Sequence, residues 1–292
     1  LKKKIESIGK PLKDWDVKIY RGVLTGFNEA FIIDTETRDK ILANCKTDEE
    51  RKRTEEIIKP VLRGRDIGKY YYKWAGLWVI YIPWHFPLHE DKTISGASQK
   101  AEDEFKKQFP TLYNYLLNYK EQLSNRNKDE TGVRYEWYAL QRWASDYYPE
   151  FEKEKIVWQE IVREPSFAYD NTKKYCEATS FIMTGKNLKY ILGLLNSKPV
   201  SFFFRKYYAG GGLGNEGYRY KKTFLEQLPI PPVTQQNQPI VSQIESYVNQ
   251  ILQAKKENPD ADISDFERQI DQLVYQLYGL TDEEIKIIEG GN

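Results

Sequence analysis

The sequence is poor in the residues that form most metal and thiol sites. Its 292 residues include two cysteines, Cys45 and Cys176, and two histidines, His85 and His89. The cysteines lie far apart without a C-x-x-C, which predicts a reducing compartment, the cytoplasm, and no disulfide framework. The histidines lie in "PWHFPLHE", where two prolines disfavour the helix that H-x-x-x-H ligation needs. With no third ligand in the pattern, we expect no metal site.

Long apolar runs and export signals are also absent. No stretch of 18 or more apolar residues occurs, and no basic start precedes an apolar segment, so we expect no membrane partner. Charged residues make up 30% of the chain and its mean hydropathy is −0.70, which predicts a soluble protein. Because the chain opens on Leu1 rather than Met, we expect it to be a fragment of a longer protein.

Common catalytic motifs are missing as well. There is no G-x-S-x-G and no G-x-x-x-x-G-K-[ST]. The acidic "PDADISD" (259–265) lacks the glycine and the distal glutamate of a calcium loop, so we interpret it as a solvated turn.

A glycine-rich segment, "YYAGGGLGNEGYRYKK" (207–222), contains the letters of the dinucleotide fingerprint G-x-G-x-x-G. That fingerprint must follow a strand and open a helix. Here a helix-like segment precedes the glycines, and a basic segment that runs into prolines follows them. The context therefore disfavours a cofactor in this chain and favours a flexible surface loop whose backbone approaches a ligand closely.

The net charge of +1 hides an uneven distribution. Residues 1–234 carry 40 basic and 32 acidic side chains, whereas residues 235–292 carry 4 and 11. Four prolines in 228–239 lie at the transition. We therefore predict two parts, a moderately basic domain over 1–234 and an acidic helical segment over 235–292. A basic body is compatible with a polyanionic partner.

Residue periodicity predicts an α+β (mixed α/β) fold followed by a C-terminal helical hairpin. Thr47 and Thr281 are suitable N-caps for two of the helices. The strand-like segments are 17–34 (as strand, glycine turn and strand), 77–83, 155–162 and 175–185. The helical segments are 47–62, 95–125 with a break at Pro110, 187–208 with a turn at 197–199, and three helices after Pro239.

Aromatic residues are abundant, at 14% of the chain, and many adjoin Arg or Lys. Cations beside flat rings recur where proteins contact phosphates and bases. Tyr and Trp also fill the cores of sheet-rich proteins, so each cluster alone is compatible with either role. The clusters are "KYYYKW" (69–74), "LQRWASDYY" (140–148), "FFFRKYY" (202–208) and "YRYKK" (218–222).

A set of blocks in a fixed order resembles the TaqI-like C-terminal specificity domain, the target-recognition domain of N6-adenine DNA methyltransferases and type IIG restriction-modification enzymes that act in phage defence. The resemblance spans roughly residues 19–232, and the acidic tail resembles the C-terminus of the combined restriction-methylation enzymes. The blocks are "IYRGVLTGFNEAFIID" (19–34), "EIIKPVLRGRDIGKYY" (56–71), "LWVIYIP" (77–83), "WYALQR" (137–142), "KIVWQEI" (155–161), "LLNSK" (194–198) and "FLEQLPIP" (224–231).

The resemblance implies a reader without a catalyst. The N-P-P-[YF] motif and the S-adenosylmethionine loop of such methyltransferases are absent, as is a P-D-x(n)-[DE]-x-K nuclease motif. The implied partners are double-stranded DNA and the methyltransferase domain of a longer parent protein. The parent would use S-adenosylmethionine to methylate adenine N6 and, if it also cuts DNA, Mg²⁺.

Candidate DNA-binding residues follow from the resembling blocks and from the basic–aromatic clusters. Motifs shared by readers of different targets shape the fold more than they read a base, so we expect Arg63 and Arg65 to contact scaffold or backbone and Asp66 to be an internal partner. The block candidates are Arg21, Thr25, Asn28, Arg63 and Arg65. The candidates from the clusters and the glycine loop are Lys69, Tyr72, Lys73, Trp74, Arg142, Trp143, Arg205, Lys206, Asn215, Arg219, Lys221 and Lys222.

Two alternatives remain open from the sequence. The acidic hairpin and the aromatic residues could form a protein-interaction module. The glycine-rich loop could instead serve a nucleotide-binding enzyme. Salt-dependent DNA binding distinguishes the first alternative from a DNA reader, and titration with NAD, ATP or S-adenosylmethionine distinguishes the second.

Overall fold

The computed structural model describes residues 1–290. Its strands are β1 (Lys10–Pro11), β2 (Val17–Arg21), β3 (Ile32–Asp34), β4 (Ile58–Leu62), β5 (Leu77–Ile80), β6 (Lys155–Gln159), β7 (Ile161–Val162), β8 (Phe167–Asp170), β9 (Tyr175–Cys176), β10 (Ser180–Gly185), β11 (Tyr218–Arg219) and β12 (Pro229–Ile230).

Helices precede, connect and follow these strands. They are α1 (Lys2–Ile8), α2 (Asn28–Phe31), α3 (Thr35–Ala43), α4 (Asp48–Ile57), α5 (Gln99–Gln108), α6 (Pro110–Leu117), α7 (Lys120–Ser124), α8 (Leu188–Asn196), α9 (Lys198–Phe203), α10 (Lys222–Leu225), α11 (Gln238–Glu257), α12 (Ser264–Leu277) and α13 (Asp282–Gly290). This mixture confirms the predicted α+β class with C-terminal helices.

Two four-stranded sheets organise the molecule. One has the order β2-β10-β6-β8 and is antiparallel throughout. The other has the order β3-β5-β4-β9, with β4 and β9 parallel. Two short pairs, β1 with β12 and β7 with β11, join distant parts of the chain.

The β2-β10-β6-β8 sheet lies between two hydrophobic cores. Ile156 and Trp158 of β6 project into a core that also contains α8 and the C-terminal helices. Val157, between them, projects into the core formed with the second sheet and α5–α7. A sheet buried on both faces needs apolar residues at consecutive positions, which explains the unbroken apolar run of this strand.

The predicted helix over 47–62 is only partly confirmed. The Thr47 hydroxyl caps α4 by accepting from the Glu50 N–H, as expected. The helix ends at Ile57, however, and residues 58–62 form β4. The β-branched Ile58 and Val61 pack better on a sheet than in a helix. Pairing with β5 and β9 therefore outweighs the local helical pattern, and the prediction was wrong for residues 58–62.

Other predicted elements differ in smaller ways. Segment 17–34 contains the expected strands with the short helix α2 between them. The break at Pro110 is confirmed, but segment 95–125 forms three helices rather than two. Segment 187–208 has the expected helix, turn and helix, and it finishes in a π-helical turn over Phe204–Tyr208. The tail forms a hairpin and a short helix, and residues 291–292 of the predicted acidic segment lie outside the described residues.

The histidine-containing segment forms turns instead of a helix. His85 Nδ1 lies 3.0 Å from Glu136 Oε2, and Glu136 also accepts from the Ser98 N–H. This arrangement ties two distant loops together. Within residues 1–290, no helix combines the length and the apolar composition that crossing a membrane requires.

Candidate nucleic-acid interface

Two arginines on different sheets meet at one carboxylate. Arg21, at the end of β2, donates from Nε to the Ala178 carbonyl and from Nη2 to Glu160 Oε2, both at 2.9 Å. The β7–β11 pairing brings Arg219 opposite Ile161, and its Nε lies 3.7 Å from Glu160 Oε1. The Arg21 and Arg219 side chains are 55% and 43% exposed, whereas Glu160 is only 15% exposed. The carboxylate is therefore sheltered while both guanidiniums face solvent.

The segment that follows Arg21 pairs with a segment that contains a third arginine. Leu24 exchanges both backbone hydrogen bonds with Arg142, at 3.0 and 2.9 Å. The Tyr147 hydroxyl donates to the Arg21 carbonyl at 2.8 Å. We call Arg21, Arg142 and Arg219 the arginine surface. Its members lie 77 or more positions apart in the sequence, and backbone pairing brings them together.

Gly22 allows the chain to turn from β2 into this surface. A Cβ at this position would lie 2.1 Å from the Glu177 carbonyl oxygen and 2.6 Å from that of Cys176. Both contacts are to backbone, so neither can be relieved by a side-chain rotation.

We expect Gly22→Ala to lower the free energy of unfolding by about 1–3 kcal/mol, because the added methyl group overpacks a rigid site. Chemical denaturation of the full chain measures this change. The matched control is Gly211→Ala, at a glycine with nothing within 4 Å of an added Cβ but a left-handed φ of +101°. Its cost comes from backbone strain alone, about 1 kcal/mol. A Gly22→Ala variant as stable as the wild type would contradict the close approach.

The buried Arg126 holds the loop that carries Thr25. It donates to the carbonyls of Thr25, Trp137 and Ala139, the last two at 2.8 Å. Thr25 itself is 1% exposed, and its hydroxyl lies 2.5 Å from Asn28 Oδ1. In this structure Thr25 is an internal residue, whereas Asn28 is exposed. DNA contact by either residue stays a prediction.

Arg63 is engaged within the fold, as the sequence predicted. Its Nε and Nη2 donate to Asp66 at 3.1 and 2.7 Å, and its backbone N–H donates to the same carboxylate. Arg65 is exposed. Burial raises the pKa of the nearby Glu177 carboxyl, and hydrogen bonds from Gly64 and Thr179 oppose that rise. The block "LRGRD" thus forms a closed turn beside the arginine surface.

A second group of candidates lies at the opposite end of β6. The Tyr72 hydroxyl donates to Asp170 at 2.7 Å, and Asp170 pairs with the fully buried Lys155 at 2.5 Å. Trp74 is half-buried and contacts the Lys174 ammonium, which lies 5.1 Å from its ring. Lys73 is exposed. Because Lys155 starts β6 and Glu160 follows its end, the structure separates this group from the arginine surface.

A third group lines a cavity of about 640 Å³ beside the C-terminal helices. Lys69 pairs with Glu267 at 2.5 Å, and Arg205 pairs with Glu164 at 2.7 Å. Lys206 is exposed and lies over the Phe202 ring. Lys69 and Arg205 each have a carboxylate of their own, whereas Arg21 and Arg219 share one, so this cavity offers an anion less net positive charge than the arginine surface does.

The glycine-rich loop follows a helical turn rather than a strand, and only a single 3-10 turn over Gly214–Glu216 forms among its glycines, so it lacks the strand–loop–helix context of a dinucleotide site. Its backbone returns against β7, where Gly217, at φ +105°, passes so close that a Cβ would lie 2.3 Å from the Val162 carbonyl oxygen. The Asn215 carbonyl accepts from Arg163 at 2.5 Å, while its side chain is exposed. The predicted flexibility of the loop stays a prediction.

Two lysines follow the loop. Lys221 lies 4.2 Å from the Phe224 ring centroid, and Lys222 is exposed and 3.7 Å from Glu226. Trp143 is half-buried near Arg142. The loop, Arg219 and these lysines are continuous in the chain.

Sequence reasoning missed three residues that organise these groups. Glu160, Arg126 and Lys155 each act through partners that are distant along the chain. The sequence carries one weak signal for them. Lys155 is the only charged side chain among the buried residues of an otherwise apolar strand, and a buried charge needs a partner.

Comparisons with known proteins find relatives in sequence and in fold. The Type II methyltransferase M.MjaIV of Methanocaldococcus jannaschii is 25% identical over 264 residues, which cover 88% of this chain and 77% of the relative. The type IIL restriction-modification enzyme MmeI, solved in complex with DNA, matches 96% of this chain with a TM-score of 0.59 and 14% identity. The type IIG restriction endonuclease BpuSI matches 95% with a TM-score of 0.50 and 13% identity.

This chain spans only 35% of the MmeI chain and 33% of the BpuSI chain, so the two solved structures share its fold over about a third of their length. The model of the TaqI-like C-terminal specificity domain matches residues 59–230, more than half of the chain. That range contains the strands β5 to β12, all of β4 except Ile58, and the glycine-rich loop, but neither β2 nor β3. The chain therefore belongs to the family of TaqI-like C-terminal specificity domains.

Proposed function

We propose that this chain is the target-recognition part of a restriction-modification or phage-defence DNA methyltransferase. It binds double-stranded DNA, reads a specific sequence and positions an adenine for N6 methylation by a catalytic domain outside this chain. The parent protein would use S-adenosylmethionine, and Mg²⁺ if it also cleaves DNA. We place its action in the cytoplasm, where the chromosome and incoming phage DNA are found.

The arginine surface is the observation that carries this proposal. Arg21 and Arg219 share one sheltered carboxylate, which fixes their orientation and leaves guanidinium N–H groups exposed. A guanidinium can donate two parallel hydrogen bonds to guanine O6 and N7 or to a phosphate. Orientation before binding reduces the entropy lost on contact.

A division of labour follows from the side-chain chemistry. The mobile ammonium groups of Lys221 and Lys222 suit phosphates, which give affinity without sequence information. The oriented arginines and the exposed Asn215 side chain suit base edges. The similar proteins support this proposal, since M.MjaIV is a Type II methyltransferase and MmeI was solved in complex with DNA.

The test is salt-dependent binding of the full-length parent protein to duplex DNA. The logarithm of the binding constant should fall linearly with the logarithm of salt concentration. Changing Lys221 and Lys222 to Glu should make that slope less steep by about one per lysine, and it should weaken binding to all DNA sequences to a similar extent. The measurement is fluorescence anisotropy at several salt concentrations.

The matched control reverses the charge of Lys18 and Lys186. Both are exposed, and they lie at the opposite end of the β2–β10 pair, where Val17 pairs with Gly185. We expect this double change to leave the slope nearly unaltered. DNA binding with no salt slope, or tight binding of NAD or ATP by this chain instead of DNA, would overturn the proposed function.

A further inference from the structure

A small cavity opens beside the arginine surface. It has a volume of about 210 Å³ and is lined by Trp84, Arg142, Trp143, Tyr147 and the residues between Trp143 and Tyr147. This volume is below the roughly 300–1,000 Å³ of sites for drug-sized ligands. Three aromatic side chains and one guanidinium are an unusual lining for a solvent-facing cleft, and they favour a flat, polarisable ligand.

The aromatic walls are fixed by the fold. The Trp84 ring stacks on buried Tyr135 with centroids 4.7 Å apart, and its Nε1 donates to the Leu140 carbonyl. Tyr147 stacks on Tyr20 at 4.6 Å. The Arg134 and Arg142 guanidiniums also lie over the Trp84 ring, 5.5 and 6.0 Å from its centroid, so an entering planar ligand would stack beside them or in their place. Rings held in this way lose no further rotamer freedom on binding.

The backbone between the walls is strained. Ala144 has a φ of +63°, a left-handed conformation that costs a non-glycine residue about 1–2 kcal/mol. Such strain persists where surrounding structure imposes it, and it clusters at functional sites. Here it turns the chain between Trp143 and Tyr147, which gives the cavity its shape.

An apolar side chain stands at the rim. Because Leu24 and Arg142 exchange both backbone hydrogen bonds, their side chains project from the same face of the pair. Leu24 is 37% exposed, although it is a large apolar side chain. Arg142 is held at 2.9 Å from Glu130 Oε2, so its planar group stays beside the cavity mouth.

We propose that this cavity receives one nucleobase displaced from the stack of the bound duplex, with Leu24 occupying the space that the base leaves. The inference rests on the proposed function. A methyltransferase must take its target base out of the helix, and apolar side chains wedge between base steps where DNA is unstacked. The occupant is the base left unpaired opposite the target adenine, because the adenine itself must enter the catalytic domain.

The test is a coupling experiment on the full-length parent and its target duplex. Each nucleotide is replaced in turn by an abasic one, and binding is measured for the wild type and for Trp84→Leu. Base–aromatic stacking is worth roughly 1–3 kcal/mol, so one abasic position should weaken wild-type binding about five- to 150-fold. In Trp84→Leu that penalty should disappear at the same position only.

Two further measurements separate recognition from folding. Leu24→Ala changes an exposed side chain and should also reduce the penalty at that position, while Trp15→Leu, at a partly exposed tryptophan of the other core, should not. In the wild type, 2-aminopurine at that position should remain quenched on binding and become fluorescent in Trp84→Leu. Sequence-specific binding without position-dependent coupling overturns this inference alone. Absence of duplex binding by the wild type overturns the proposed function with it.

Discussion

Replacing Lys155 with Met is expected to lower the free energy of unfolding by about 3–5 kcal/mol. The Lys155 ammonium and the Asp170 carboxylate are completely buried and 2.5 Å apart. Removal of one member leaves an uncompensated buried charge, which costs far more than the pair itself contributes. Asp170 also accepts from Tyr72 and Thr172, so any movement of the unpaired carboxylate would disturb these neighbours as well. Chemical denaturation of the full chain measures the loss.

A double change tests the cause. Lys155→Met combined with Asp170→Asn removes both charges, and we expect it to be more stable than Lys155→Met alone. The difference from additivity should fall within about 0.5–3 kcal/mol, as is usual for contacting residues. If the two single changes simply add, charge pairing is not what stabilises the strand.

The same pair gives stability a pH dependence. Burial alone would raise the pKa of the Asp170 carboxyl, but Lys155 and the hydrogen bonds from Thr172 and Tyr72 hold that pKa below its ordinary value. A carboxyl with a depressed pKa in the folded state adds stability above its unfolded pKa of about 3.9. That contribution should be lost as the pH falls below about 4. The Lys155→Met variant should lose less stability over this range, because it no longer has the ion pair that lowers the pKa of Asp170.

Replacing Arg126 with Met is the second large effect, and it should affect both folding and DNA binding. Arg126 is 6% exposed and donates to the carbonyls of Leu123, Thr25, Trp137 and Ala139. Each buried carbonyl left without a donor costs about 1–3 kcal/mol, so we expect a loss of about 3–5 kcal/mol. Burial lowers the pKa of Arg126 to about 10, which leaves it charged at neutral pH.

The functional part of this prediction follows from position. The carbonyl of Thr25 belongs to the loop after Leu24, and those of Trp137 and Ala139 precede Arg142, so Arg126 joins the two segments of the arginine surface. DNA affinity of the parent should therefore fall under conditions where the variant is still folded.

Two variants serve as controls for Arg126. Arg126→Lys keeps a charge but loses the planar fork, and it should be intermediate in both stability and affinity. Arg134→Ala, at an arginine that is 58% exposed, should change stability by less than about 0.5 kcal/mol. A stable Arg126→Met variant with unchanged DNA affinity would contradict the bridging role.

Local signals in the sequence predicted much of the fold because they are themselves local. The Thr47 cap, the break at Pro110 and the helical spacing after Pro239 depend on neighbours within a few residues, and the structure confirms them. The conversion of residues 58–62 into β4 depends on β5 and β9, which lie far along the chain. No local pattern encodes that pairing.

The site was harder to predict for the same reason. The resembling block made Arg21 a candidate, and the basic–aromatic clusters made Arg142 and Arg219 candidates, but neither signal indicated that Arg21 and Arg219 share Glu160. The aromatic clusters in the sequence did not show which rings are engaged within the fold. Tyr72 was a candidate, but its hydroxyl is engaged by Asp170. Trp84 lines an open cavity and was not among the candidates. Whether Arg21, Tyr72 or Trp84 is engaged or available depends on partners that lie 139, 98 and 51 positions away, namely Glu160, Asp170 and Tyr135.

The shared carboxylate also constrains how the domain could acquire a new target. Because Glu160 orients both Arg21 and Arg219, a substitution at either arginine changes the surroundings of the other. Their effects on recognition should therefore be non-additive. A homologue that recognises a different DNA sequence would therefore arise more readily by replacing both arginines than by replacing one. These two positions should vary together among homologues with different targets.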